Sequence, residues 1–278
     1  MNLVTSSSGK ERLDILLVKR GIVSSRSRAQ GLVLAGEVLV DGKVITKSGT
    51  PVKEDALIEI KQPIEYVSRG GLKLEKAIKE FSVEVGGKVC IDIGASTGGF
   101  THCLLKHGAK FVYAIDVGKG LLHPLLVKNP RVKSIEGYNA RYLESHIFTI
   151  KPVFGVIDVS FISVRKILPA LYRCLEGDRE VIILIKPQFE AEYKFVSRGG
   201  IVVKPEFHIE TIKKVLESTL ELGFSTHGLT FSPIRGKSGN IEYLLYISSR
   251  KSSLEPPIEE IVKEAFSYFE NRNTPPST

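Results

Sequence analysis

Lys73, Asp158, Lys186 and Glu242 are the side chains of this sequence best placed to do chemistry. Asp158 closes the apolar run Val153-Phe154-Gly155-Val156-Ile157, Lys186 closes Val181-Ile182-Ile183-Leu184-Ile185, and Glu242 leads into Tyr243-Leu244-Leu245-Tyr246-Ile247. Lys73 stands on a helical segment from Leu72 to Phe81, just ahead of the first such run. In an open α/β sheet, ligands bind outside the carboxyl ends of the strands, so all four would meet a ligand at one edge. Two cations and two carboxylates around a pocket suit methyl transfer to a ribose hydroxyl, a weak nucleophile that must be aligned and must lose a proton. Lys186 either takes that proton or stays cationic and stabilises the forming alkoxide; the sequence leaves both open. Taken singly, each residue would serve as well in an ion pair holding strand ends together. Their joint arrival at one edge, beside a glycine turn, is what points to chemistry.

That glycine turn follows Lys88-Val89-Cys90-Ile91-Asp92-Ile93, a buried strand by its composition, and reads Gly94-Ala95-Ser96-Thr97-Gly98-Gly99-Phe100 before entering a helix. Glycine lets backbone approach a ligand closely. A second strand, Phe111 to Ile115, ends in Asp116, where an acid can grip ribose hydroxyls. The pattern departs from the dinucleotide signature, because Ser96 replaces its second glycine and Asp92 precedes the first by two residues. Both departures favour S-adenosyl-L-methionine, with Asp92, Gly94, Ala95, Ser96, Gly98, Gly99, Phe100 and Asp116 as candidate cofactor residues. Asn139, in a loop after the strand Val132 to Glu136, is a weaker candidate at the adenine. Ordinary glycine packing is the bland alternative for the turn, since such a motif alone is a weak signal.

The composition sets the frame for these sites. Of 278 residues, 42% are hydrophobic and 25% charged, enough for one medium and one small domain. Lys and Arg number 39 against 31 Asp and Glu, a net charge of +8 that favours a polyanionic partner, RNA or an acidic membrane surface. No apolar stretch approaches the roughly 20 residues of a membrane span, and the polar start Met1 to Ser8 lacks a signal peptide's apolar region. The expected location is the cytoplasm. Cys90, Cys103 and Cys174 are odd in number and sit in apolar surroundings, so buried free thiols are expected, and no ligand spacing indicates a metal.

Ahead of the catalytic region lies a small basic module. Arg12 to Val18 and Ser25 to Leu34 read as short amphipathic helices, and Val38-Leu39-Val40 with Val44-Ile45 flank Asp41-Gly42, a strong hairpin turn. Arg12, Lys19, Arg20, Arg26, Arg28, Lys43 and Lys47 put positive charge on the exposed parts of a unit too small for catalysis. The chain divides into a flexible start (1–9), this α+β module (10–62), a linker with a proline and two glycines (63–71), the catalytic domain (72–250) and a tail (251–278). Residues 189–203, rich in charge and glycine, read as a loop over the site, either a mobile lid or inert surface. Ile258, Ile261, Val262, Ala265, Phe266 and Phe269 form one helical stripe expected to dock on the core, with disorder from Asn271 onward.

Arg26-Ser27-Arg28-Ala29-Gln30 ahead of Gly36-Glu37-Val38-Leu39-Val40-Asp41-Gly42 makes the module similar to the alpha-L RNA-binding domain of a small-subunit ribosomal protein. The four charged residues, with Lys186-Pro187-Gln188-Phe189-Glu190 and Gly239-Asn240-Ile241-Glu242-Tyr243, resemble the Lys-Asp-Lys-Glu tetrad of FtsJ-like ribose 2′-O-methyltransferases. Adding Ser68-Arg69-Gly70-Gly71-Leu72-Lys73-Leu74, the chain to about Ser249 resembles the TlyA family, known both as haemolysin A and as ribosomal RNA methyltransferase. The resemblance implies a Rossmann-like α/β fold with a mostly parallel seven-stranded sheet, helices on both faces and an antiparallel last strand. It implies S-adenosyl-L-methionine-dependent 2′-O-methylation of cytidine in large-subunit ribosomal RNA, with small-subunit RNA left open. The module's arginines would then meet RNA phosphates and the shallow minor groove. Two rival functions are a non-catalytic ribosome assembly factor on the same fold and a cytolysin. The cytolysin has no membrane span or long amphipathic hairpin behind it. Nothing in the sequence indicates an oligomeric state.

Overall fold

The computed structural model describes residues 9–34, 36–60, 66–236 and 238–271. The expected flexible start, apart from Gly9, residues 63–65 of the expected linker and the segment expected to be disordered from Asn271 onward lie outside them, except that Asn271 itself ends the last helix. The chain separates into two compact units, divided after Glu65.

The first unit begins with β1 (Lys10–Arg12), α1 (Leu13–Lys19) and α2 (Arg26–Leu34), followed by four short strands, β2 (Val38–Val40), β3 (Lys43–Ile45), β4 (Pro51–Lys53) and β5 (Ile58–Ile60). The β2–β3 hairpin pairs Val40 with Lys43, leaving Asp41 and Gly42 as its two-residue loop at φ 49° and 74°. Both values are positive, as the tight hairpin turn requires. β5 adds to the other side of β2, and β1 pairs with β4 in a separate ribbon. Arg12, expected in the first helix, lies in β1 opposite Pro51. Leu13, Leu16, Leu17, Ala29, Val33, Val38 and Val52 form the core.

Asp14 holds the start of this unit together. Its side chain is buried, yet it accepts from Arg12 Nε (3.0 Å) and Nη2 (3.0 Å), Arg26 Nε (2.9 Å) and Gln30 Nε2 (3.0 Å). The bond from Arg12 above all, with those from Gln30 and Arg26, holds the carboxyl well below the usual range against the opposing effect of burial.

The second unit opens with α3 (Gly70–Glu80), then β6 (Val89–Ile93), α4 (Gly99–Lys106), β7 (Phe111–Asp116), α5 (Pro124–Val127), β8 (Val132–Glu136) and β9 (Phe154–Ile157). After these come α6 (Leu168–Cys174), β10 (Glu180–Ile185), α7 (Pro187–Glu190), α8 (Pro205–Glu221), β11 (Ser225–Phe231), β12 (Tyr243–Ser248) and α9 (Ile258–Asn271). Gly70 and Gly71, expected in the linker, belong to α3. A Cβ on Gly71 would stand 2.2 Å from the ring of buried Tyr66, so the helix starts where only glycine fits beneath that ring.

The seven strands run β11-β12-β10-β9-β6-β7-β8, parallel from β10 to β8, with β12 antiparallel to both neighbours. Alternation along the strands feeds two cores. Cys90, Val112, Phe154, Val156, Ile182 and Leu184 pack with Leu74 and Leu104 from α3 and α4. Ile91, Ile93, Ile115, Ile157, Ile183 and Ile185 pack with Leu168, Ile212 and the α9 stripe Ile258, Val262, Ala265 and Phe269. A sheet covered on both faces explains why its strands read as unbroken apolar runs. The chain leaves β6 toward β7 and β8, then returns to β9 on the other side of β6. The strand order reverses there, and a crevice opens at such a point. Among the described residues no helix is long and apolar enough to cross a membrane.

The depressed Asp14 carboxyl stabilises the first unit fully above the unfolded value of about 4. That contribution is lost as pH falls through the lower folded value. Amide hydrogen exchange at Leu16 and Val33 is expected to accelerate through enhanced opening as pH drops from 5 to 2, after correction for intrinsic rates. Asp14→Asn should flatten that dependence and speed opening at pH 7.

Candidate active site

Strand register assembles the site. β6 pairs Ile93 with Ile157 of β9, so one step further Gly94 lies beside Asp158. Asp158 N donates to Ile93 O at 2.9 Å, and a Cβ on Gly94, whose φ is 85°, would stand 2.3 Å from the Asp158 carbonyl oxygen. Only glycine tolerates both that dihedral and that approach. β10 and β12 pair Ile185 with Tyr243, which brings Lys186 and Glu242 opposite each other one residue beyond the ladder.

The four charged residues meet this edge as two ion pairs. Lys186 Nζ lies 2.6 Å from Asp158 Oδ1 and donates to Ser160 Oγ at 3.0 Å. Lys73 pairs with Glu242. Lys73, Lys186 and Glu242 are buried, while the Asp158 side chain keeps 21% of its surface. Gly236 presses on Glu242, where a Cβ would approach Oε1 to 2.3 Å. Burying a charge is costly unless it is paired, so each pair is the condition for its members to stand at this depth.

Beside Asp158 opens a cavity of about 470 Å³, within the range of small-molecule sites. Gly94, Ser96, Asp116, Asn139 and Asp158 line it, with apolar walls from Ile115, Val117 and Ile162. Asp116 is fixed by Ser96 N (2.8 Å) and Gly118 N (2.7 Å), and Asn139 accepts from Arg141 N at 3.1 Å. Ala95, Gly98, Gly99, Phe100 and Asp92 are not among the lining residues. Gly98 makes room for Leu122 and Leu126, Gly99 for Ser68 and Gly71, and Phe100 is core. Asp92 lies fully buried at the end of β6. Its Oδ2 accepts from Thr101 Oγ1 at 2.6 Å, and its Oδ1 has no partner among the described residues. Burial pushes its carboxyl up to about 7 against the Thr101 hydrogen bond, with Asp158 and Asp116 adding to the rise.

Sequence reasoning missed Tyr138, Ser160 and Phe161, which also line the cavity. Phe161 is 91% exposed at φ 64°, with its ring 5.1 Å from that of Phe189. A bulky residue rarely adopts such a dihedral, and strain of this kind gathers at functional sites. Ser160 stands two residues beyond Asp158, a spacing that could have drawn attention to it. Nothing in the sequence marks the Phe161 dihedral. The 189–203 loop is tied down at Asn240, which donates to Gly200 O (2.8 Å) and accepts from Val202 N (3.0 Å).

In the first unit, the candidate RNA-facing cations are mostly engaged within the fold. Arg12 and Arg26 share Asp14, Lys19 pairs with Glu54 at 3.1 Å, and Arg20 donates to Ala56 O and Glu54 O. Arg28 and Lys43 are exposed, with no ion-pair partner among the described residues.

Residues 66–249 match the model of the FtsJ-like methyltransferase family, and residues 11–58 match the S4 domain. A relative in Mycobacterium tuberculosis, named 16S/23S rRNA (cytidine-2′-O)-methyltransferase TlyA, is 40% identical over 87% of this chain and 91% of its own. This chain belongs to the TlyA family of FtsJ-like methyltransferases. Hemolysin A of Brachyspira hyodysenteriae is 46% identical over 84% of this chain and 98% of its own. A solved structure described as a hemolysin of Streptococcus thermophilus superposes with a TM-score of 0.76 at 42% identity, covering 96% of this chain and 99% of that one. The chain is thus an enzyme of the methyltransferase class carrying an S4 domain.

A raised folded-state carboxyl weakens folding as pH climbs from the unfolded value of about 4 toward 7. The melting temperature of Asp92→Asn relative to wild type is therefore expected to rise steadily over that interval and level off above it. Gly94→Ala should lower the melting temperature by several degrees, about 1–2 kcal/mol coming from the left-handed backbone alone and more from the displaced Asp158 carbonyl.

Proposed function

We propose that this chain transfers a methyl group from S-adenosyl-L-methionine to the ribose 2′-hydroxyl of cytidine in ribosomal RNA of the large subunit, acting in the cytoplasm. That Asp158 and Ser160, both in the cavity wall, hold the Lys186 ammonium is the observation that carries this reading. The residues present fit the cofactor. Ile115, Val117 and Ile162 offer an apolar slot for adenine, and the fixed Asp116 carboxylate at the end of β7 suits ribose hydroxyls. Gly94, seated against the Asp158 carbonyl, brings the two strand ends together in the cavity wall. When bound, S-adenosyl-L-methionine supplies an activated methyl on a sulfonium.

The chain's own task is then alignment and charge. Lys186, pinned as an ammonium by Asp158 and Ser160, presents its Nζ to the incoming hydroxyl and steadies the negative charge that grows on oxygen as the oxygen takes the methyl and its proton passes to solvent. Asp158 orients that ammonium. The Lys73–Glu242 pair closes the rim where β12 begins. Phe161, exposed at the cavity mouth, offers a face on which an unpaired base can stack. The S4 unit supplies RNA affinity through Arg12, Lys19, Arg20, Arg26, Arg28 and Lys43 by contacts to phosphates. The relative named for both 16S and 23S rRNA favours testing both subunits.

Labelled methyl transfer to ribosomes and separated subunits lacking the modification tests the assignment. Wild type should yield an alkali-resistant 2′-O-methylcytidine dinucleotide. Lys186→Ala should cut the single-turnover rate by about 10²–10³-fold, the usual size of a lost donor to a developing oxyanion, while cofactor affinity by calorimetry stays within about threefold, because Lys186 is assigned to the hydroxyl and not to cofactor binding. RNA binding without incorporation on any particle would favour a non-catalytic assembly factor.

A further inference from the structure

The turn after β10 grips the loop after β9 at two points. At the first, Lys186 holds Asp158 and Ser160, as described above. At the second, three residues further along β9's exit, Glu190 accepts from Ser163 Oγ (2.5 Å), Val164 N (2.6 Å) and Arg165 Nε (3.3 Å). Lys186 and Glu190 are the residue before α7 and its last residue, so one turn of helix fixes the spacing between the grips. Phe161 lies between them at its strained dihedral. Every residue from Asp158 to Ile162 lines the cavity.

Glu190 itself is 6% exposed. A carboxylate at that depth is costly without donors, and here burial pushes its carboxyl above the ordinary value while Ser163, Val164 and Arg165 oppose the shift. All of those donors come from one short loop.

We propose that Glu190 is a positioning residue for the methyl transfer, acting through residues 158–165 to hold Asp158 and Ser160 against Lys186. The inference rests on the function proposed above. Without the second grip, the strained segment at Phe161 is free to relax, and relaxation carries Asp158 and Ser160 away from the ammonium they steady. Displacements of about 1 Å at a reacting centre cost up to about 100-fold in rate.

The test compares full-length wild type, Glu190→Ala, Glu190→Gln and Lys186→Ala in single-turnover methyl transfer, with KM for RNA and melting temperature measured on each. Glu190→Ala is expected to lose about 10–100-fold in rate at saturating cofactor, with RNA KM changed less than about threefold and the protein still folded at the assay temperature. Glu190→Gln keeps the acceptor for Val164 N–H but gives up the bond from Arg165 Nε, and should recover part of the rate. A wild-type rate in Glu190→Ala, or a Gln variant as slow as Ala, overturns the proposal. So does a loss in Glu190→Ala that merely follows its unfolded fraction. Should Glu190→Ala not fold, Ser163→Ala removes one donor, and an unchanged rate there overturns the proposal equally. Failure of wild type to methylate any ribosomal particle would overturn the function itself, a result separate from any ordering of the variants.

Discussion

Where β6 and β9 end side by side, backbone meets backbone without room for a side chain. Gly94 turns away at φ 85° with the Asp158 carbonyl against its α-carbon. The cavity opens at this reversal of strand order, Asp116 reaches it from one side and Asp158 from the other, and Asp158 in turn holds Lys186. A methyl group at position 94 would push the two strand ends apart, and the distances that define the site would change together.

Charge is the second constraint. The sheet edge carries Lys73, Asp158, Lys186 and Glu242 in largely buried positions, and each of the two pairs is neutral. Paired ions at such depth contribute little net stability compared with apolar residues of the same size, whereas an unpaired one is strongly destabilising. Their presence is therefore better explained by what the edge must do than by what holds it together. Asp92 follows the same logic, keeping a carboxyl fully buried with one oxygen unpartnered among the described residues.

Much of this was legible in the sequence. Long apolar runs ending in a charge, such as Val181 to Lys186, identify a covered parallel strand and its rim in one reading. Asp41-Gly42 identified its hairpin because the dihedral demand is local. Three-residue strands such as β1, β4 and β5 left no trace, since a period of two cannot be seen over so short a length, and Arg12 was absorbed into the helix that follows it. Gly70 and Gly71 read as a linker because sequence does not show the Tyr66 ring against Gly71 or Phe100 beside Gly70. The cofactor motif gave its glycines one role, although the structure divides them: Gly94 faces the cavity, while Gly98 and Gly99 make room for neighbouring helices and side chains. Contacts between segments far apart in the chain, such as Glu190 with Ser163, carry no local signature at all.

The Asp14 cluster bears on how the first unit would meet a polyanion. Arg12 and Arg26 remain about half exposed while both bond one buried carboxylate. The three groups together carry a single net positive charge, so their long-range pull is weaker than a count of arginines implies, and fewer counterions gather there to be released. What the carboxylate supplies in exchange is rigidity. Two guanidinium groups are held in fixed orientation before any contact, sparing rotamer entropy that mobile side chains would lose on binding. Such a surface discriminates by the spacing of the phosphates it meets more than by the density of their charge.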